Sequence, residues 1–255
     1  GPHPAGVGSS MPAGLAHVQL SADDNILSRL TRAGMAALRR AAPANRPDLA
    51  RFTGVLVTPV DDDEAKRMAE WRDSLRLPQQ TAQWLGAPAA RQTLGVAGAG
   101  EGWLVDGAIL SNTPLCLAWL TSSTEIRLRC TAAAARLERD GDDWNVRDAD
   151  GVLLARAPQV VLACAGQTPQ LLAASGLLPS PDWMPLRTLR GQAQALPASQ
   201  WPALEGLCAG WMGSGYALPL PTAAAQQLRL MTASSEVDWL LVGATYETAD
   251  APLSA

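Results

Sequence analysis

The run Val160-Val161-Leu162-Ala163-Cys164-Ala165-Gly166 constrains the fold more than any other stretch of this 255-residue chain. It has no polar face to show to water and ends in small residues, the pattern of a strand buried on both faces of a parallel sheet. A ligand at the carboxyl end of such a strand meets little side chain. Just upstream, Glu125–Cys130 reads as a short strand. Trp144–Arg147 and Val152–Arg156 read as a hairpin turned by Asp148-Ala149-Asp150-Gly151.

The N-terminal stretch Gly6-Val7-Gly8-Ser9-Ser10-Met11-Pro12-Ala13-Gly14 is the second informative segment. Small residues let backbone approach a flat or anionic ligand, and the hydroxyls of Ser9 and Ser10 add donors. Taken alone, the same composition also describes a plain connector. An amphipathic helix is predicted over about 23–42, capped by Asp23 or Asp24, with Ile26, Leu27, Leu30, Ala33, Gly34, Ala37 and Leu38 on its core face. A strand over 52–58 and a helix from Asp61 to about Leu75 follow, the acids of the latter at the positive end of its dipole. The residues from Trp84 to Leu94 read as irregular or as a short helix.

Gly95-Val96-Ala97-Gly98-Ala99-Gly100-Glu101-Gly102 invites a second nucleotide loop, but extended Trp103–Gly107 follows where a phosphate loop needs a helix, so these glycines are read as turn residues. Pro114–Leu120 is predicted to lie in a helix, and Pro169–Ala174 to form a short one closed by Gly176. Four strands, at 189–195, 215–220, 228–232 and 239–244, are expected to form one antiparallel sheet.

With 47% apolar residues the chain has the composition of an ordinary globular protein. No run approaches a membrane span and no signal-peptide pattern opens the chain, so a soluble, cytoplasmic protein is expected. Cys116, Cys130, Cys164 and Cys208 are scattered and read as reduced core residues. With His3 and His17 as the only histidines, no metal site is expected; His17, just after the loop, reads as solvent-facing or as touching a ligand. A net charge of −4 argues against a globally basic nucleic-acid binder. Arg29, Arg32, Arg39, Arg40, Arg46 and Arg51 form either a local basic patch or a solvated face. Gly213-Ser214-Gly215 lacks the elbow of a serine nucleophile.

Three groups of residues carry a family likeness: the opening loop with Ser21-Ala22-Asp23-Asp24-Asn25; the run Val160–Gly166; and Leu189-Arg190-Gly191-Gln192 followed by Gly215-Tyr216-Ala217-Leu218-Pro219 and Gly243-Ala244-Thr245-Tyr246. In that order they resemble the D-amino-acid-oxidase-like FAD oxidoreductases. More particularly, they resemble the oxidoreductase half of the bifunctional enzymes that act on the wobble uridine of transfer RNA.

The resemblance implies a mixed α/β (α+β) fold in which a partial FAD-binding layer, 1–50 and 108–180, interleaves with a largely antiparallel substrate-side sheet, 51–107 and 181–255. It implies FAD held by Gly6, Gly8, Ser9, Ser10, Ala13, Gly14, Ala133, Ala163, Ala165 and Gly166. The substrate would be carboxymethylaminomethyl-uridine in transfer RNA, and a methyltransferase domain would be linked upstream. Arg190 is the candidate carboxylate clamp because a guanidinium fork pairs with a carboxylate bidentately. Gln192 lies on the same strand face. Tyr216 and Tyr246, the only tyrosines, either line the pocket or pack with the hydroxyl at its rim.

The family's opening strand, G-x-G-x-x-G and helix do not precede the loop, and no segment returning to the flavin follows Asp250–Ala255. The chain is therefore expected to be an internal fragment that holds FAD poorly by itself, with Gly1-Pro2 as a tag remnant. Two other functions remain open: a small-molecule amine or amino-acid oxidase like glycine or sarcosine oxidase, and a non-catalytic remnant.

Overall fold

A computed structural model describes residues 10–186, 189–236 and 238–248, apart from the side chains of residues 73, 190 and 244–248. In chain order the elements are β1 (Gly14–His17), α1 (Ile26–Ala41), β2 (Ala50–Arg51), β3 (Val55–Val57), α2 (Asp62–Ser74), β4 (Ala82–Leu85), α3 (Ala87–Leu94), β5 (Gly102–Val105), β6 (Gly107–Leu110) and α4 (Asn112–Leu120). Then come β7 (Arg136–Asp140), β8 (Asp143–Arg147), β9 (Leu153–Ala157), α5 (Thr168–Ala174), β10 (Leu189–Pro197), β11 (Gly210–Met212), β12 (Tyr216–Pro219), α6 (Thr222–Thr232) and β13 (Trp239–Thr248).

Contacts divide the chain into two compact units. One is built on Arg127–Arg190 and the other on Val7–Ile126 together with Gly191–Thr245. These units and the functional layers predicted above divide the chain along different lines.

The larger unit holds a three-stranded sheet, β1-β6-β2, and most of a seven-stranded sheet, β10-β13-β12-β11-β3-β5-β4. The second sheet is largely antiparallel, as expected, but β11 and β3 run parallel, with Gly210 opposite Val55 and Met212 opposite Val57. The mixed α/β class is as read from sequence. Leu56, Ala90, Leu94 and Leu240 form one buried cluster; Ile109, Leu218 and Leu241 form a second; Val55, Met68, Trp103 and Val105 form a third. Gly95 ends α3 at φ +78°, and a Cβ there would lie 2.3 Å from the carbonyl oxygen of Gly206, so this close crossing admits only glycine.

The smaller unit contains the antiparallel meander β7-β8-β9 and α5. The predicted hairpin forms, with Trp144 opposite Ala157 and an irregularity at Val146/Arg147. Its outer strand β7 carries no strong alternation in sequence and was not foreseen.

Several expectations fail for identifiable reasons. Val160–Gly166 is not a strand: it is irregular to Cys164, enters a 3-10 turn at Ala165–Gln167, and leaves Val161 89% exposed. Among the described residues no strand lies alongside to pair with it, and a strand is stable only with a hydrogen-bonded neighbour. Glu125–Cys130 is irregular for the same reason, with Ile126 and Leu128 exposed. Leu228–Thr232 is the end of α6 and not a strand, because the strong helix formers Ala223-Ala224-Ala225-Gln226-Gln227 lead into it and Ala224 and Ala225 are buried.

The helix α1 forms where predicted but is turned. Asn25, not Asp23 or Asp24, caps it by accepting from the Ser28 amide, and Ile26 and Leu30 are 76% and 64% exposed. Polar anchors set the rotation. Ser21 and Ser28 hydroxyls bond at 2.8 Å, the Gln19 amide donates to Thr31, and Arg39 pairs with Asp106 and stacks on Phe52.

The cysteines are free, but none is core: Cys164 and Cys208 are exposed, Cys116 and Cys130 half-buried. Of the six arginines in the N-terminal run, Arg32, Arg39 and Arg46 are paired with Asp24, Asp106 and Asp48. That run is partly spent inside the fold.

Candidate functional site

The strands β3 and β11 are parallel neighbours, so their carboxyl ends, Val57 and Met212, open at the same end of the sheet. Such an end collects loops and leaves backbone groups for a ligand. Two adjoining cavities lie there, of about 320 and 360 Å³, sharing Thr58, Val60 and Gly213. Thr58 fixes their common wall. Its amide and its hydroxyl both donate to the carbonyl of Met212, at 2.8 and 3.1 Å, and the hydroxyl accepts from Trp211 Nε1 at 3.0 Å.

The first cavity is lined by His17, Glu64, Met68, Trp71 and Trp103. Trp103 is 5% exposed, and its indole N–H has no acceptor among the described residues. An unmet donor on a buried ring favours a ligand that brings a carbonyl or similar oxygen. His17 Nδ1 lies 3.1 Å from the carbonyl of Val18, which only accepts, so Nδ1 is the donor of that bond and Nε2 is the ring nitrogen left for a ligand. Glu64 is held by the Val60 amide at 2.9 Å.

The second cavity is lined by Tyr216 together with Trp211, Ser214 and Gly243. Tyr216 on β12 stands opposite Gly243 on β13. From sequence, Tyr216 is a named candidate, the segment before His17 reads as a loop where the structure has β1, His17 is left as solvent-facing or touching a ligand, and Thr58, Trp71 and Trp103 are not singled out. A short apolar strand closed by Thr-Pro was the available signal for Thr58; Trp103 reads from sequence as ordinary core.

The other predicted residues are spread out. Gly6, Gly8 and Ser9 lie outside the described residues, as do the side chains of Arg190 and Tyr246. Ser10 is exposed, and Ala13 is buried against Ile109 and Leu218. Gly14 opens β1; a Cβ there would come within 3.0 Å of Asn112 Oδ1, so part of the need for glycine is internal. Gln192 is exposed on β10. Ala133, Ala163, Ala165 and Gly166 are exposed in the smaller unit, Ala165 at φ +46°.

The residues suit a flat, polar cofactor along β1. Among the described residues this strand pairs with β6 only, so its other edge presents open backbone N–H and C=O groups beside small Gly14 and Ala16. No group of His, Cys, Asp and Glu side chains among the described residues is arranged to hold a metal ion, and no helix among them is long and apolar enough to cross a membrane.

Comparison with known proteins identifies the family. A family model described as FAD dependent oxidoreductase matches residues 1–252. The tRNA 5-methylaminomethyl-2-thiouridine biosynthesis bifunctional protein of Burkholderia multivorans is 35% identical over 248 residues, which is 95% of this chain and 34% of that protein. Its namesake from Paraburkholderia phytofirmans is 33% identical over 236 residues, 90% of this chain and 34% of that protein. The chain thus spans about 34% of the length of these curated relatives. Among solved structures, glycine oxidase from Geobacillus kaustophilus superposes with a TM-score of 0.64 at 19% identity, over 97% of this chain and 64% of that one. Glycine oxidase from Bacillus cereus gives 0.66 at 17%, over 94% and 61%. By the extent of the family match, the chain belongs to the FAD dependent oxidoreductase family.

Proposed function

We propose that this chain is part of an FAD-dependent enzyme that oxidises the CH–NH bond of carboxymethylaminomethyl-uridine at the wobble position of transfer RNA, in the cytoplasm and in one polypeptide with a methyltransferase domain. The observation that carries the reading is identity of 35% maintained along 95% of the chain with relatives named for that modification. The solved oxidases are similar at a level that speaks for fold alone.

In this reading FAD lies along the open edge of β1, beside Ser10, Ala13 and Gly14; Gly6, Gly8, Ser9, Ala133, Ala163, Ala165 and Gly166 are further cofactor candidates that rest on the sequence resemblance alone. Bound FAD supplies the two-electron oxidation of the C–N bond. The residues of the chain orient the amine and move its proton. His17 Nε2 accepts the amine proton, Trp103 walls the first cavity and Tyr216 the second, and Tyr246 is a further candidate that rests on the sequence motif alone. Arg190, supported by Gln192 on the same strand face, clamps the substrate carboxylate. Loss of two electrons and two protons leaves an imine; water hydrolyses it to the aminomethyl-uridine and glyoxylate.

The test is Arg190→Lys in the protein expressed from its complete reading frame. A point-like ammonium cannot reproduce two parallel bonds, so kcat/KM should fall roughly 10- to 150-fold with the flavin spectrum unchanged. An equal kcat/KM removes Arg190 from the site.

A further inference from the structure

Another cavity lies at the opposite end of the sheet from the candidate site, where β12 finishes at Pro219. It measures about 650 Å³, within the range of small-molecule sites, and is lined from β2, α6 and the loop 204–208. Arg51, half-buried on β2, reaches into its wall. The Arg51 Nη2 donates to the Pro219 carbonyl at 3.4 Å, a long bond, and its Nε is buried with no acceptor among the described residues. Burial holds this guanidinium below its ordinary pKa, partly offset by the nearby Cys208 sulfur. A desolvated cation with an orphaned donor calls for an anion.

The rest of the lining says which anion. Arg51 and Arg229 face three carboxylates, Glu205, Glu236 and Asp238, around the same cavity, and these would repel a phosphate or a dicarboxylate. Leu204, Leu207, Leu220 and Trp239 supply an apolar wall suited to methylene groups. We infer that this cavity binds a small zwitterion, its carboxylate on Arg51 and its ammonium group toward Glu205, Glu236 and Asp238. Neither the family assignment nor the proposed oxidation uses this end of the sheet.

Calorimetric titration of the protein with 4-aminobutanoate, butanoate and inorganic phosphate tests the inference. The expected result is that 4-aminobutanoate binds about tenfold or more tightly than butanoate, and that Arg51→Gln weakens both by about tenfold or more, the scale of one lost charge-assisted bond. Glu205→Gln with Asp238→Asn, both exposed positions, should weaken 4-aminobutanoate and narrow the gap between the two ligands, with butanoate bound no less tightly than before. That pair keeps the test intact should Arg51→Gln fail to fold. Absence of binding by all three probes, 4-aminobutanoate affinity indifferent to Arg51→Gln, or an unchanged gap in the double variant overturns the site. Phosphate as the tightest ligand overturns its zwitterion specificity.

Discussion

The segments Val55–Val57 and Val160–Gly166 are both short apolar stretches, and they end in opposite environments. In the first, Val55 and Leu56 are fully buried between β11 and β5, and both strand neighbours lie within the chain. In the second, Val161 is 89% exposed and no described residue pairs with the run. Composition sets how much a segment gains by burial; whether it is buried depends on a partner elsewhere. A strand is a property of a pair.

The comparison breaks most directly in stability measurements. Leu56→Ala should cost about 2–5 kcal/mol, the range for emptying a closed core site, while Val161→Ala should stay within about 0.5 kcal/mol. Urea unfolding of both variants checks this; comparable losses would mean that the run is buried in solution.

Next in size are two glycines with left-handed backbone. Gly95 has the Gly206 carbonyl against it, whereas Gly151, in the hairpin turn of the smaller unit, has nothing within 4 Å. Gly95→Ala should therefore cost about 2–3 kcal/mol and Gly151→Ala about 1 kcal/mol, the second being backbone strain alone. Thermal melts of the two variants separate steric from conformational cost.

The smallest effect sits at the surface. Arg46 donates to both Asp48 carboxylate oxygens, at 2.8 and 2.7 Å, and this bond holds the Asp48 carboxyl below its usual pKa against some burial. A depressed carboxylate stabilises the fold above its unfolded value, about 3.9, and that contribution disappears as pH falls through the lower folded value. Asp48→Asn should then cost less than about 1 kcal/mol at neutral pH, with wild type and variant converging as pH falls through the lowered folded value. Denaturation midpoints across that range measure it.

Legibility in the sequence follows the same division. The helix α2, with Asp61 accepting from Glu64 and acids in the first turn, and the hairpin β8–β9 were readable because their determinants are local. The rotation of α1 was not, since it is set by Asp106, Phe52 and Gln19 reached from other elements. Of the candidate site, the Gly-rich segment before His17 was visible as a loop motif and Tyr216 as part of a strand motif, while the strand β1 itself was not. Thr58 and Trp103 were not, because their roles come from the parallel pairing of β3 with β11 and from an indole N–H left without an acceptor.

The central claim is that the end of the sheet bearing His17, Thr58, Trp103 and Tyr216 serves flavin-dependent oxidation of a modified transfer-RNA uridine. Anaerobic single-turnover bleaching of the flavin absorbance tests it most directly, in the protein expressed from its complete reading frame and mixed with transfer RNA carrying carboxymethylaminomethyl-uridine. The account predicts bleaching by that RNA with glyoxylate released in equal amount, and none by unmodified RNA or free glycine. Bleaching by glycine or sarcosine and not by the modified RNA would contradict it and assign the chain to small-amine oxidation.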